Sequence, residues 1–301
     1  MVEDRIRNQI PVDKNFELCH FLYMSRDKLN KLQAILKEMG SVLIAFSGGA
    51  DSAFLLRAAR DMLGDRAAAL TALSPTYPEH ELMEAKKFAS ALGVRHILVE
   101  SNELKIQNFA RNDPMRCYYC KSELFGILRR YADALKIAHI CDGSNLDDTG
   151  DYRPGLKAAA EKGVRHPLIE AGLSKREIRE LSRELRLPTH NKGSMACLSS
   201  RFPYGTEITE ERVRQVARCE ELLRSMGFDP YRVRYHGEIA RIEVASEAFH
   251  RLLKEDILAA LVKRFKEAGF VYVTLDLEGF RSGSMNEVLS PVQTETAEHS
   301  Q

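Results

Sequence analysis

The sequence predicts an α/β fold, a parallel sheet wrapped by helices, followed by a smaller α+β domain. Three observations carry that prediction. Residues 42–46, 67–73, 96–99 and 137–141 are short apolar runs, the composition of strands buried on both faces. Segments of helical spacing separate them, so strand–helix–strand units repeat and the strands run parallel. After a stretch broken by prolines and glycines, residues 188–205, the order changes to helix, strand, strand, helix, strand.

The elements follow in order. Residues 25–39 form an amphipathic helix with Leu29, Leu32, Ile35 and Leu36 on one stripe. The first strand, 42–46, leads into a helix over 50–63. The second strand, 67–73, precedes a helix over 78–92 that has Pro78 at its start. Strand 96–99, helix 121–135 and strand 137–141 complete the sheet. A helix over 174–185 opens with Ser174 and Glu177 at the spacing of a capping box. In the second domain a helix spans 207–226. Residues 231–236 and 239–244 pair as a hairpin across His236–Gly237, one long helix covers 246–268, and 271–277 is the last strand. The expected division is 1–200, 201–289 and a polar tail over 290–301.

Composition bounds the function. The 301 residues are 44% apolar and 29% charged, ordinary for a folded chain, and the net charge of +1 gives no global field toward nucleic acid or an anionic membrane. No apolar run approaches the length of a membrane span, and residues 1–14 are charged without a signal-peptide core. The expected compartment is therefore the cytoplasm. Six cysteines are too few for a disulfide scaffold in a chain of this size.

In a parallel sheet of this kind the ligand sits beyond the carboxyl ends of the strands. There the chain offers Ser47-Gly48-Gly49-Ala50-Asp51-Ser52 between a buried strand and a helix. Two glycines let the backbone turn sharply and bring N–H groups against phosphate oxygens. The helix adds its positive end. Ser47 and Ser52 add hydroxyls, and Asp51 either orients the loop or holds a Mg²⁺ ion against the phosphates. The lysine of a Walker loop is missing, and the glycine spacing is not that of a dinucleotide loop. The plain alternative is a tight turn with Ser47 as helix cap. The loop after the fourth strand, residues 142–148, brings Asp147 and Asp148 to the same sheet edge, as nucleotide or Mg²⁺ contacts or as capping residues.

Cys117-Tyr118-Tyr119-Cys120 and Cys197 both fall in predicted loops. Three readings fit them: a zinc site completed by a histidine, a redox pair that leaves Cys197 idle, or three thiolates on a [4Fe–4S] cluster with one iron open. Cys19, Cys141 and Cys219 have apolar neighbours and are expected to be buried packing residues.

Residues 47–52 resemble the S-G-G-x-D-S signature of the PP-loop ATP pyrophosphatases, whose Rossmann-like sheet serves cleavage of ATP between its α- and β-phosphates. Longer stretches are more specific: residues 116–121, 142–148, 151–155, 195–205, 232–236 and 240–244. Together they resemble the LarE family of ATP-dependent sulfur transferases, over roughly residues 29–289. The resemblance implies adenylation of a carboxylate of a pyridinium mononucleotide with release of pyrophosphate. Sulfur then replaces AMP to give a thiocarboxylate, for assembly of a nickel-pincer nucleotide cofactor. ATP and Mg²⁺ are the implied cofactors, with Asp51, Ser52 and Cys197 central to catalysis.

One branch of that family spends a cysteine at the Cys197 position as sulfur donor. Another carries an added C-x-x-C pair and a three-cysteine [4Fe–4S] cluster fed by sulfide or another sulfur donor. Cys117, Cys120 and Cys197 resemble the latter. Arg201, Arg232 and Arg234 are implied to hold the substrate phosphate, since guanidinium forks match phosphate oxygens. Glu220 and Glu243 match positions that bind divalent metal in some relatives. The third acidic ligand is expected near Arg251, a base in this chain. That departure speaks against a metal there and makes Glu220 a solvated helix residue. Assembly as a trimer or hexamer is implied as well. The rivals are a PP-loop tRNA thiolase, which the neutral charge opposes, an ammonia-dependent amidating ligase, which leaves the cysteines idle, and a nucleotide-binding regulator without turnover.

Overall fold

A computed structural model describes residues 14–150, 154–193, 196–281 and 283–288 of the chain. The first sheet consists of β1 (Val42–Ala45), β2 (Ala67–Leu73), β3 (Arg95–Glu100) and β4 (His139–Cys141). All its pairs are parallel, in the order β3-β2-β1-β4. Around it run α1 (Lys14–Met39), α2 (Ala50–Leu63), α3 (Glu79–Ala91), the short α4 (Gln107–Ala110) and α5 (Arg116–Ala134). After β4 come α6 (Pro154–Glu161), α7 (Pro167–Ala171) and α8 (Lys175–Glu184).

Successive strand residues point to opposite faces. Val42 and Ile44 of β1 join Leu32 and Leu36 of α1, Phe54 of α2 and Ile178 of α8 in one core. Leu43 and Ala45 join Phe125 and Leu128 of α5 in another. Both faces are covered, which is why residues 42–45 form an unbroken apolar run.

The second domain contains α9 (Glu210–Ser225), β5 (Tyr231–His236), β6 (Ile239–Val244), α10 (Phe249–Leu252), α11 (Glu255–Glu267) and β7 (Tyr272–Leu275). β5 and β6 are antiparallel, as the His236–Gly237 turn predicts, and β7 lies parallel to β6 at the edge. The core of this domain takes Phe109 and Leu198 from the chain before residue 200, beside Phe202, Val233 and Phe265. Backbone bonds stitch the two regions: Ile208 N–H donates to Ala110 O at 2.7 Å and Gly205 N–H to Asn112 O at 3.1 Å. Asn112 Nδ2 donates to Pro203 O at 2.6 Å.

Several expectations change. The first helix begins at Lys14 rather than at 25. α6 and α7 are too short, at 8 and 5 residues, to leave a readable period. The helix expected over 246–268 is broken. Leu252 is buried whereas Leu253 is exposed, and a new helix starts after Lys254 with Glu255 and Asp256 in its first turn, where negative charge is favourable. The capping box is formed in full: Ser174 accepts from Glu177 N–H and Glu177 from Ser174 N–H. Among the described residues no helix is long and apolar enough to cross a membrane. Residues 151–153, 194–195 and the predicted tail lie outside the described residues, as does the side chain of Cys19.

Candidate active site

The chain passes outward from β1 to β2 and β3, then crosses back to β4 on the other side of β1. Loops after β1 and β4 therefore diverge and leave a crevice, the usual ligand site of such sheets. The phosphate loop lies there. Gly48 has φ +74°, a conformation only glycine adopts without strain, and a Cβ on it would lie 3.0 Å from Ala85 Cβ. Gly49, not Ser47, is the cap residue of α2; Ser47 Oγ accepts from Gly49 N–H at 3.3 Å, and among the described residues no side-chain cap bond reaches the first turn. Those N–H groups and the positive helix end are left to an anion. Ser47 Oγ and Ser52 Oγ are 3.1 Å apart, and Ser52 Oγ donates to Gly49 O at 3.1 Å. Tyr77 fixes the loop from outside, its hydroxyl donating to Ser47 O at 2.7 Å.

The loop after β4 packs directly on α2. A Cβ on Gly143 would lie 2.8 Å from Ser52 N. Asp148 lines the cavity and accepts from Asn145 N–H at 3.0 Å. Asp147 is exposed and accepts from Lys175 N–H at 2.6 Å, so it binds the start of α8. Burial pushes the Asp51 carboxyl up; Lys175 opposes that shift and Asp148 adds to it. Burial also works to raise Asp142, but the hydrogen bond from His166 and the charge of Lys121 outweigh it and hold that carboxyl at about 2.

The cysteines meet this site. Cys117 and Cys120 lie in the first turns of α5 and not in a loop: Asp113 accepts from Met115 N–H, Arg116 N–H donates to Asp113 O, and the turn so formed runs straight into the helix. At i and i+3 the two thiols share a helix face. Cys197 is the cap residue of a 3₁₀ turn, Leu198–Arg201. Cys120 and Cys197 line one cavity of about 420 Å³ with Ser47, Gly49, Asp51 and Ser52. Cys117 and Cys197 are exposed and Cys120 is half-buried. Desolvation by the surrounding protein pushes the Cys117 and Cys120 thiols up, a Cys197 thiolate raises both further, and Lys121 opposes. Among the described residues no three His, Cys, Asp or Glu side chains are gathered closely enough to hold a single metal ion. Cys141 and Cys219 are buried, as expected.

Glu220 is not a solvated helix residue. It is buried, its carboxylate takes both Nε and Nη2 of Arg201 at 2.7 and 2.9 Å, and it accepts from Val233 N–H. Glu243 is likewise buried and takes Arg234 Nη2 at 2.7 Å, Ser284 Oγ and Arg241. Both carboxylates expected at a metal are thus ion-paired inside the second domain. The same arginines hold the cysteine segment: Arg201 Nη1 donates to Ala196 O and Cys197 O, and Arg234 Nη1 to Ser200 O. Arg232 lies over the ring of Phe280 at 5.1 Å, and burial, with Arg201 adding to it, lowers its pKa to about 10.

Comparison with known proteins decides the family. Over 266 residues, 88% of this chain and 96% of the relative, it is 40% identical to the pyridinium-3,5-bisthiocarboxylic acid mononucleotide synthase of Lactiplantibacillus plantarum. The chain belongs to this synthase family. An uncharacterized protein of Synechocystis is 45% identical over 89% of this chain and all of its own length. The tRNA-specific 2-thiouridylase MnmA of Treponema denticola is 30% identical over 58% of this chain and 48% of its own, in keeping with a PP-loop enzyme. No family model matches the chain.

This member of the synthase family has cavity residues that lie outside the loops and motifs read from the sequence, Glu103, Lys175, Arg179 and Lys192, beside Tyr77 at the end of the loop after β2 and Lys121 at the end of the 116–121 stretch. Glu103 is buried and accepts from Ser74 Oγ at 2.8 Å and from Thr76. The four-residue spacing of Lys175 and Arg179 behind a capping box was a usable signal, since it places both on one helix face.

Proposed function

We propose that the chain adenylates a carboxylate of a pyridinium mononucleotide with ATP and then replaces AMP with sulfur, giving a thiocarboxylate. The observation that carries this is one cavity shared by an uncapped phosphate loop and two thiols, Cys120 and Cys197. A carboxylate resists nucleophiles because of its charge. Adenylation removes the charge and installs a leaving group, and sulfur must then arrive where the adenylate lies, which a shared cavity provides.

Ser47, Gly48, Gly49 and Ser52 bind the phosphates, and Asp51 with Asp148 holds Mg²⁺ against them. Asp147 acts indirectly, by seating α8. Arg232 receives the substrate phosphate, because an added anion relieves a guanidinium that burial and Arg201 disfavour; Arg201 and Arg234 keep their carboxylates and position the Cys197 segment. Cys117, Cys120 and Cys197 suit a [4Fe–4S] cluster in chemistry: three thiols that act on one another's titration, with Arg116 and Lys121 beside Cys117 to offset part of the charge that three thiolates would bring. Bound there, the cluster would supply an open iron that carries sulfide. Such thiols need a reducing compartment, in keeping with the cytoplasm. Val271 and Tyr272, exposed at the β7 edge, offer a surface for a trimer or hexamer, which light scattering would size.

Intact mass before and after turnover, with activity of Cys117→Ala, tests the sulfur source. The expected result is an unchanged Cys197, visible absorption from the anaerobically purified protein, and joint loss of colour and activity in each cysteine variant. Dehydroalanine at 197 with full single-turnover activity in Cys117→Ala would establish Cys197 as a spent donor instead.

A further inference from the structure

Four carboxylates line the cavity: Asp51, Glu103, Asp142 and Asp148. Three of them face cations. Asp142 bonds His166 at 2.7 Å and faces Lys121 at 3.9 Å. Asp148 faces Lys175 at 3.8 Å, and the charges of Lys175 and Arg179 act on Asp51. Glu103 differs. It is only 3% exposed, and Ser74 Oγ, at 2.8 Å, and Thr76 Oγ1 both donate to its Oε1. Among the described residues no cation pairs with it. Two hydroxyls offset part of the cost of burying a negative charge, and a counter-charge is still missing.

The fold fixes where this carboxylate stands. Asn102 Oδ1 accepts from Leu104 N–H at 3.2 Å and Ile106 N–H donates to Glu103 O at 3.0 Å, so the turn carrying Glu103 is closed on both sides. Leu104 and Ile106 pack against the core of the second domain. Thr76 O accepts from Leu198 N–H at 2.9 Å, the residue after Cys197. The charge of Glu103 also reaches Cys120, whose thiol it raises. Glu103 therefore belongs to the thiol side of the cavity, whereas Asp51 and Asp148 stand beside the phosphate loop.

The reactants differ in charge. ATP and sulfide are negative, and Mg²⁺ stays with the phosphates. The pyridinium ring carries a fixed positive charge on its nitrogen. Its reacting carboxylate must lie between the phosphate loop and the thiols, so the attached ring lies in the same cavity. We propose that Glu103 is the counter-charge of the pyridinium ring and selects a cationic ring over a neutral aromatic carboxylate. This rests on the adenylation reading, and it adds which residue recognises the ring. The ring keeps its charge when the carboxylate becomes a thiocarboxylate, so Glu103 holds the acceptor through both steps while AMP departs.

Binding without ATP tests the assignment. Two probes share one shape: pyridinium-3-carboxylate ribose-5-phosphate, and its C-riboside analogue, in which carbon replaces the ring nitrogen and the charge is gone. Calorimetry with each would be run on the whole protein, Glu103→Gln and Glu100→Gln. Glutamine keeps an oxygen for the two hydroxyls and removes the charge. Glu100, exposed at the end of β3, controls for charge loss nearby. Wild type should prefer the cationic probe on the order of 10- to 100-fold, the effect of one charge-assisted contact. Glu103→Gln should weaken the cationic probe by that factor and leave the neutral one within about twofold, and Glu100→Gln should bind both as wild type. Equal affinity of the wild type for the two probes would overturn the proposal even if the variant fails to fold, and so would a preference that survives Glu103→Gln. Pyrophosphate release from ATP is read in parallel with the cationic probe. Selective binding through Glu103 without release would refute adenylation and leave recognition of the ring charge standing; release without preference between the probes would do the reverse.

Discussion

Consider Gly143→Ala. The new methyl carbon would lie 2.8 Å from Ser52 N, 2.9 Å from Ser52 Cα and 3.2 Å from its Cβ. Ordinary carbon contacts begin near 3.5 Å, so the surfaces must part by about 0.7 Å. α2 cannot yield, because Phe54, Leu55 and Leu56 fix it in the core. The loop over 142–148 must therefore withdraw and carry Asp148 with it. Overpacking of this size costs about 1–3 kcal/mol, and each kcal/mol moves the melting temperature of a chain this large by roughly 2–4 °C. A displacement approaching 1 Å at reacting groups costs on the order of 10²-fold in rate. Pyrophosphate release and thermal unfolding would be measured side by side. Gly126→Ala is the contrast: it sits within α5 with nothing near its missing Cβ, so alanine should stabilise by about 0.5–1 kcal/mol without changing the rate. A Gly143→Ala protein with wild-type melting and wild-type pyrophosphate release would refute the claim that this loop and the start of α2 form one site.

Asp51→Asn should leave the fold intact and lower pyrophosphate release on the order of 10²-fold; unchanged turnover would remove Asp51 from the chemistry. Arg201→Met should cost about 3–5 kcal/mol in urea unfolding, because it leaves Glu220 buried and unpaired; an unmoved midpoint would show that the pair does not support the fold. Asp142 titrates near 2 when folded, against 3.8 as a free side chain. Its depressed value stabilises the fold fully above about pH 4, and that contribution fades as pH falls toward 2. His166→Ala removes the largest lowering influence, so the variant should be less stable than wild type near pH 6 and lose less stability than wild type between about pH 4 and about pH 2; urea midpoints superimposable on those of wild type from about pH 6 to about pH 3 would contradict the bond's role.

Much of the first domain could be read from the chain because its signals are local. Residues 42–45 are apolar throughout since both sheet faces are covered, and Ser174–Glu177 announces a helix start that the structure confirms in both bonds. The phosphate loop was legible for the same reason: its glycines, serines and acid are contiguous. What failed was nonlocal. The loop expected at Cys117 and Cys120 is instead the start of a helix, because the turn closed at Asp113 runs straight into it. Glu220 stands at i+7 from Val213 and i+4 from Val216, on the buried stripe of α9, but nothing near it names the partners that satisfy its charge there, Arg201 and the strand carrying Val233. The spacing of Lys175 and Arg179 gives them one face of α8, but they reach the cavity only because α8 packs on α2, the helix that follows the phosphate loop. No residue pattern near them states that.

The joint between the regions also bears on how this enzyme can be divided or recombined. A fragment ending at residue 200 would keep Phe109 and Leu198 but lose Phe202, Val213 and Phe265, their companions in the second core. It would also lose the acceptor carbonyls for Asn112, four residues before the helix of Cys117 and Cys120 begins. The thiol-bearing turn is thus referenced to the second domain as much as to the sheet. Exchange of that domain between relatives should succeed only if residues 104–112 travel with it, so the inherited unit is discontinuous in the chain.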